Sequence, residues 1–198
     1  MLWHMSTAAP RTYTDSGSEA LRHGVAALEP GEWPKYQRTR DGVEYRIRPL
    51  RVDDFERDRR FLIELSPDSR YNRMLGFMAD PSAKLVEHLV NVDYRHSMAL
   101  AAVIGAGVDE SIIAVARYEG EPDRCEFAVA VADEWQSRGV GTMLSNLLFD
   151  YAKAHGVRRI YAVTFACNHR MLKLARDLDM NTHSASHDAT VVEAWRTL

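Results

Sequence analysis

The sequence predicts an α/β fold in the α+β sense: a mixed, mostly antiparallel sheet with helices on its faces. Three observations predict it. Short apolar runs at 98–104, 112–118 and 125–131 follow one another with only turn residues between them. Segments of helical period stand on both sides of that block. A glycine-bearing loop then leads from the third run directly into a long amphipathic helix, an arrangement that places helices against a sheet.

Taken in order, residues 1–40 read as a poorly packed N-terminal extension. They are rich in Ser, Thr, Ala, Pro and Gly, with room for one short helix near 19–28. The folded domain is expected over 41–198, starting at the turn pair Asp41-Gly42. Val43, Tyr45 and Ile47 alternate with Glu44, Arg46 and Arg48, which is strand spacing, and Pro49 ends that strand. Asp53 is placed to cap a helix that runs to about Leu65. Ser66-Pro67 starts a second helix. Asp80-Pro81-Ser82 breaks the chain before a third, with Leu85, Val86, Leu89 and Val90 on its apolar face. The runs at 98–104 and 112–118 form a hairpin around Gly105-Ala106-Gly107, and 125–131 adds a third antiparallel strand after the turn at Glu121-Pro122-Asp123.

Beyond the glycine loop, Met143, Leu144, Leu147, Leu148, Tyr151 and Ala152 share one helical face, and Gly156 stands where a helix-terminating glycine belongs. Residues 159–165 read as a buried strand. Residues 168–178 read as a helix with Met171, Leu172, Ala175 and Leu178 inward. A hairpin closes the chain, its last strand at 190–195.

Bulk properties exclude several classes. The net charge is −3, so there is no basic footprint for nucleic acid. No apolar run reaches the ~20 residues that span a bilayer, and the first twenty residues lack the continuous apolar stretch of a signal peptide. Cys125 and Cys167 have no CxxC spacing, which argues against a disulfide framework or a zinc site and for a reducing, cytoplasmic setting. His183 and His187 are four apart, but their segment reads as a hairpin and no third ligand follows a metal spacing, so no metal is expected.

The chemistry concentrates in the loop Gln136-Ser-Arg138-Gly139-Val140-Gly141-Thr142. It joins a strand to a helix N-terminus, where free N–H groups and the positive end of the dipole bind phosphate oxygens. Gly139 and Gly141 remove side chains where a diphosphate must approach the backbone, and Arg138 adds positive charge. The spacing matches neither GxxxxGK[ST] nor GxGxxG, so Walker and dinucleotide-binding loops are excluded. A glycine-bearing turn before a core helix is the plain structural reading.

Gln136-x-x-Gly139-x-Gly141 is similar to the (Gln/Arg)-x-x-Gly-x-(Gly/Ala) signature of the GNAT acetyltransferases, and the element order over 42–198 resembles that fold. A closer resemblance is to the catalytic domain of bacterial Pat-type protein lysine acetyltransferases. It is carried by Asp41-Gly42 through Ile47-Arg48-Pro49, by Ser66-Pro67-Asp68-Ser69-Arg70-Tyr71, and by Cys125-Glu126-Phe127-Ala128-Val129 with Asn168-His169-Arg170-Met171-Leu172. The resemblance implies acetyl-CoA as cosubstrate. The amides of Arg138, Gly139, Val140, Gly141 and Thr142 would hold its pyrophosphate, and the strand containing Ala130 and Val131 would pair with the pantetheine arm and supply an oxyanion donor. Asn168 would either cap the last long helix or also bond the pantetheine. Relatives often carry a nucleotide-binding or a large acyl-CoA-synthetase-like domain, for which forty residues are too few.

The resembling enzymes place a general base at Glu126. An amine of pKa ~10.4 must lose a proton to attack a thioester, so a base is useful there. Alternation puts Glu126, Ala128 and Ala130 on one strand face, leaving room beside the carboxylate; a solvated strand-end glutamate is the alternative. Where many relatives carry a tyrosine as acid for the leaving thiolate, this chain has Ala175. Cys167 reads as a small buried residue. Tyr71 and Arg70 either line the acceptor side or serve packing and surface pairing. The function expected is acetyl transfer to a primary amine, most naturally a protein lysine, with an acyl-CoA synthetase as a candidate protein substrate. The alternatives are a small-molecule amine acetyltransferase and a non-catalytic CoA-binding protein.

Overall fold

Gly42, at φ +88°, lets the chain reverse between two strands, β1 (Lys35–Arg38) and β2 (Glu44–Pro49), which pair antiparallel. β1 belongs to the stretch that the sequence reading leaves in the extension. The structure, a computed structural model, describes residues 33–185 and 188–198. The short helix expected near 19–28 and the residue His187 lie outside them.

Three helices follow: α1 (Phe55–Glu64), α2 (Pro67–Met74) and α3 (Ala83–Val90). Their starts are chemical. Ser66 and Ser82 accept the N–H groups of Ser69 and Leu85, each at 3.2 Å. Asp53 does not cap α1. The chain enters that helix through a 3-10 turn, Val52–Asp54, and it is Asp54 that is used, accepting the Arg51 N–H at 2.9 Å and the Arg48 guanidinium at 2.6 and 2.7 Å. Arg48 also reaches Glu110 at 2.5 Å, and Arg46 reaches Glu110 at 2.8 Å. This buried cluster ties β2 to α1 and to the loop between the next two strands, and every charge in it is paired. It borders a second, polar cavity that also includes Arg51 and Arg57.

The strands β3 (Ser97–Ile104), β4 (Ser111–Glu121) and β5 (Arg124–Val131) form the predicted antiparallel block. β3 is covered on both faces, which its small residues Ala99, Ala101 and Ala102 allow. After β5 come the long helix α4 (Val140–Ala154), then β6 (Arg159–Phe165), α5 (His169–Asp177), and the hairpin β7 (Asn181–Ala185) and β8 (Asp188–Thr197). Among the described residues the sheet has eight strands in the order β1-β2-β3-β4-β5-β6-β8-β7. Every neighbouring pair is antiparallel except β5 with β6. No helix among these residues is long and apolar enough to cross a membrane.

Alternate residues of β4 and β5 face opposite sides. Phe127 turns to α4 and meets Phe149 edge-on at 4.9 Å. Arg117, Glu119, Glu126 and Ala128 share the other side, where α1 and α2 lie and where Arg117 reaches the Leu89 carbonyl of α3 at 3.4 Å. Two expected core positions differ. Met143 is 38% exposed, because Val140, Leu144, Leu148 and Ala152 take the buried face of α4. Cys167 is exposed, because the chain turns outward between β6 and α5.

Candidate active site

β5 and β6 are paired at only two positions, Cys125 with Ile160 and Glu126 with Tyr161, although both strands continue further. Beyond Glu126 they splay. The gap is the centre of a cavity of about 290 Å³, lined along β5 by Glu126 through Val131, along β6 by Ala162, Val163 and Thr164, and closed by the glycine loop, α2 and α5. The splay leaves one edge of β5 without a strand partner, a feature an extended amide-bearing ligand can use.

At one end lies the glycine loop. Gly139 takes φ +91° and precedes the first intrahelical bond of α4, from the Met143 N–H to the Gly139 carbonyl at 3.0 Å. The N–H groups of Val140, Gly141 and Thr142 therefore have no acceptor within the helix. Gly139 is open toward solvent, where a Cβ would come no closer than 3.6 Å to the Arg40 side chain. Gly141 is needed for packing, since its Cβ would lie 3.3 Å from the Val131 side chain. Gly141 thus draws α4 against β5, while Gly139 shapes the cradle.

Three side chains around the loop have partners that the sequence does not announce. The Arg138 side chain pairs with Asp41 at 3.2 Å and lies over the Trp135 ring. The cation beside Gly139 is Arg40, brought there when the β1–β2 turn docks its Arg40 N–H on the Arg138 carbonyl at 3.1 Å. The Gln136 side chain braces the loop. It donates to the Val131 carbonyl at 3.0 Å and to the Ser69 hydroxyl at 3.1 Å.

Ser69 in turn donates to Asp133 at 2.7 Å, and Asp133 also receives the Ser66 N–H and hydroxyl at 2.8 and 2.7 Å. Burial works against the Asp133 charge, but these donors prevail and hold its carboxyl below the usual range. The Ser66–Ser69 stretch is therefore a clasp between α2 and the glycine loop, and Asp133 is committed to it rather than free to attract a basic acceptor.

Asn168 caps α5, accepting the Met171 N–H at 3.1 Å and donating to Thr164 at 3.0 Å, while its side chain still borders the cavity. Ala175 is fully buried and does not line the cavity. Tyr71 is half exposed and stacks on Phe165 at 5.2 Å, bridging α2 and β6; Arg70 binds the carbonyls of Ile63 and Leu65 at 3.2 Å, which holds the α1–α2 corner.

At the other end of the cavity stands Glu126, exposed, with the Tyr161 hydroxyl 3.5 Å from its carboxylate. Glu119 lies directly across the sheet from it and is held by Arg117 at 3.0 Å and His88 at 3.4 Å. Arg73 of α2 lines the cavity at this end. Among the described residues, no group of three or more His, Cys, Asp or Glu is arranged to hold a metal ion.

The comparisons with known proteins agree with this geometry. The model of the Acetyltransferase (GNAT) family matches residues 71–180. The chain belongs to the GNAT acetyltransferase family. This GNAT acetyltransferase is 35% identical over 169 residues to Acetyltransferase PA5475 of Pseudomonas aeruginosa, covering 84% of this chain and 90% of that protein. It is 31% identical over 138 residues to Acetyltransferase Pat of Mycolicibacterium smegmatis, covering 68% of this chain but 40% of that longer protein. The crystal structure of the GNAT domain of S. lividans PAT superposes with a TM-score of 0.78 at 31% identity, over 85% of this chain and all but 1% of that one, counted as 99%. Family members use acetyl-CoA, and the residues present fit it: an unsatisfied helix N-terminus beside Arg40, an open strand edge, and a carboxylate at the far end of one cavity.

Proposed function

We propose that this GNAT acetyltransferase moves the acetyl group of acetyl-CoA to the side-chain amine of a lysine on a folded protein, by direct attack in a ternary complex. One observation carries the proposal: a single cavity joins the glycine loop to Glu126 through the β5–β6 splay. The amides of Arg138 to Thr142, with Arg40, hold the pyrophosphate. The open edge of β5 at Ala130 and Val131 pairs with the pantetheine arm and supplies the oxyanion donor, and Asn168 borders it. Glu126 takes the proton from the acceptor amine, directly or through a water.

A protein acceptor suits the mouth of the cavity. Leu75 lines it, and Phe77, two residues on, is 90% exposed, with half-exposed Tyr71 on the preceding helix. Apolar side chains at a rim fit a macromolecular surface, whereas a small polar amine gains little from them. The lysine side chain can then extend inward while its backbone stays outside. An AMP-forming acyl-CoA synthetase is the first substrate to try, following the Pat resemblance.

The test is acetyl-CoA with the synthetase, polyamines and amino acids, followed by free-thiol release and labelling. The synthetase is expected to be labelled on lysine; rapid labelling of a polyamine with none on protein moves the function to small amines. Acetyl-CoA at 100 times its Kd should stabilise the fold by about 2.7 kcal/mol. Gly141→Val should remove most of that increment, because it displaces Val131 and the first turn of α4. A melting temperature indifferent to millimolar acetyl-CoA would refute donor binding.

A further inference from the structure

The Glu126 end of the cavity contains a second charged group that the reading above leaves idle. Four cationic side chains line the cavity: Arg40, Arg73, Arg170 and Lys173. Arg40 belongs to the glycine loop end. Lys173 is paired with Asp177 at 2.6 Å, and Arg170, in the first turn of α5, acts on Asp133 beside the loop. Arg73 alone stands at the opposite end, and the fold explains why. α2 begins at the Asp133 clasp and runs back along β5. Arg73 follows Ser69 by four residues, so it shares the face of α2 that carries Ser69 into the cavity, one turn nearer Glu126.

Arg73 has a buried counter-charge. Asp58 of α1 is 2% exposed, one of its carboxylate oxygens has no hydrogen-bond partner, and it lies in the field of Arg73 and Arg117. Burial pushes the Asp58 carboxyl up to about 6, against the pull of those two arginines. Burial, and then Arg117, draw Arg73 down to about 10, with Asp58 and Glu126 opposing; it still carries its charge at neutral pH. A partly buried guanidinium with an incompletely satisfied acid behind it is poorly explained as a stabilising pair. It is well placed to act on charge that develops in front of it, in a medium that screens little.

That charge is defined by the chemistry. The amine lone pair forms the N–C bond and the carbonyl π pair moves to oxygen. When the C=O bond re-forms, the C–S pair leaves on sulfur, the amine proton goes to Glu126, and the thiolate takes a proton from solvent. At the position where many relatives carry an acid for that sulfur, α5 has Ala175, buried away from the cavity, and the Lys173 ammonium of the same helix is paired with Asp177. We infer that Arg73 supplies the fixed positive charge that offsets the negative charge passing from the thioester oxygen to the departing sulfur, with the buried carboxylate of Asp58 behind it. This rests on the acetyl-transfer reading but not on Glu126 being the base.

The experiment follows thiol release from acetyl-CoA with hydroxylamine, a weakly basic amine already neutral at pH 7, as the acceptor, beside a lysine acceptor. Arg73→Met should lower kcat by about 10²-fold with both acceptors, the scale of one lost charge-stabilising donor. The Kd of acetyl-CoA should change less than threefold, and Arg73→Lys should recover at least tenfold of the loss. Because Arg73→Met leaves buried Asp58 with Arg117 as its one remaining counter-charge, Asp58→Asn/Arg73→Met is made as well; it should regain melting temperature but not turnover. Turnover restored in the double variant, or a loss confined to acetyl-CoA affinity, would overturn the proposal. Glu126→Gln separates the two readings, since it should slow lysine far more than hydroxylamine, whereas Arg73→Met slows both alike. The pH profile from 5 to 8 is recorded for each variant, because Asp58, Arg117 and Glu126 act on Arg73, and His88, Glu119 and Tyr161 adjoin those groups. A kcat deficit in Arg73→Met that persists across that range supports the inference; one that vanishes above the Asp58 titration overturns it.

Discussion

Two clusters of arginines and acids sit against the same sheet, and they are built differently. Around Arg48, both oxygens of Asp54 and of Glu110 accept from guanidinium groups. Around Arg73, Asp58 keeps an oxygen without a partner and Glu126 faces an open cavity. The first cluster closes a corner between β2, α1 and the β3–β4 loop. The second leaves its charges available. Saturation of partners, more than burial or residue type, separates an electrostatic joint from an electrostatic tool.

The sharpest way to break this comparison is a matched pair of amide substitutions. Glu126→Gln should slow lysine acetylation by roughly 10²- to 10⁴-fold and leave urea unfolding nearly unchanged. Glu110→Gln should do the reverse. Steady-state rates and unfolding curves on both variants check it, and equal effects on stability would erase the distinction. Next in size, Arg48→Met strips buried Asp54 of its bidentate counter-charge and leaves Glu110 to Arg46, and should destabilise the fold by about 3–5 kcal/mol. Acetyl-CoA affinity, measured by calorimetry below the melting point, should stay at the wild-type value.

The smallest effect is the most specific, because the two aspartates titrate in opposite senses. Burial raises Asp58 to about 6, so the folded chain binds that proton more tightly than the unfolded one. Its contribution makes stability fall as pH rises from about 4 to about 6, and level off above. For Asp54, burial is outweighed by the Arg48 hydrogen bond and charge, and the carboxyl is held low. Its stabilisation is present above the ordinary carboxylate range and is lost as pH falls through the folded value. Asp58→Asn should therefore gain about 1–3 kcal/mol at pH 7 and flatten the limb between 4 and 6. Asp54→Asn should lose stability at pH 7 and flatten the acid limb below that. Urea midpoints across pH 3 to 8 decide it; parallel profiles for the two variants would show that the clusters do not differ in kind.

Much of this architecture could be read from local pattern. The helices after Ser66 and Ser82, the three-strand block, the loop at Gln136 and the cap at Asn168 each leave their signal within a few residues, because caps, turns and periodicity are short-range physics. The misread features are long-range. Arg40 reaches Gly139 only because a turn ninety-odd positions earlier in the chain docks on the loop, and Arg138 is diverted by Asp41 from that same turn. Asp58, Arg73 and Glu126 come from three separate elements, and no spacing announces their meeting. Asp53 is a sound cap by composition, but the helix starts after Asp54, whose carboxylate is spent on Arg48 and the Arg51 N–H rather than on a cap. Met143 and Cys167 followed the expected helix and strand yet lie where those elements leave the core.

The two-position junction between β5 and β6 has a mechanical consequence. A sheet normally transmits stiffness across its ladder, one backbone bond after another. Here the halves β1–β5 and β6–β8 share a seam fastened at one end only. On the proposed reading, an acyl donor lying in the seam would act as a temporary rung, adding hydrogen bonds where the polypeptide has none. Loading the donor should couple the two halves, so that α2 with Arg73 and the β6 wall opposite it approach the acceptor as one body.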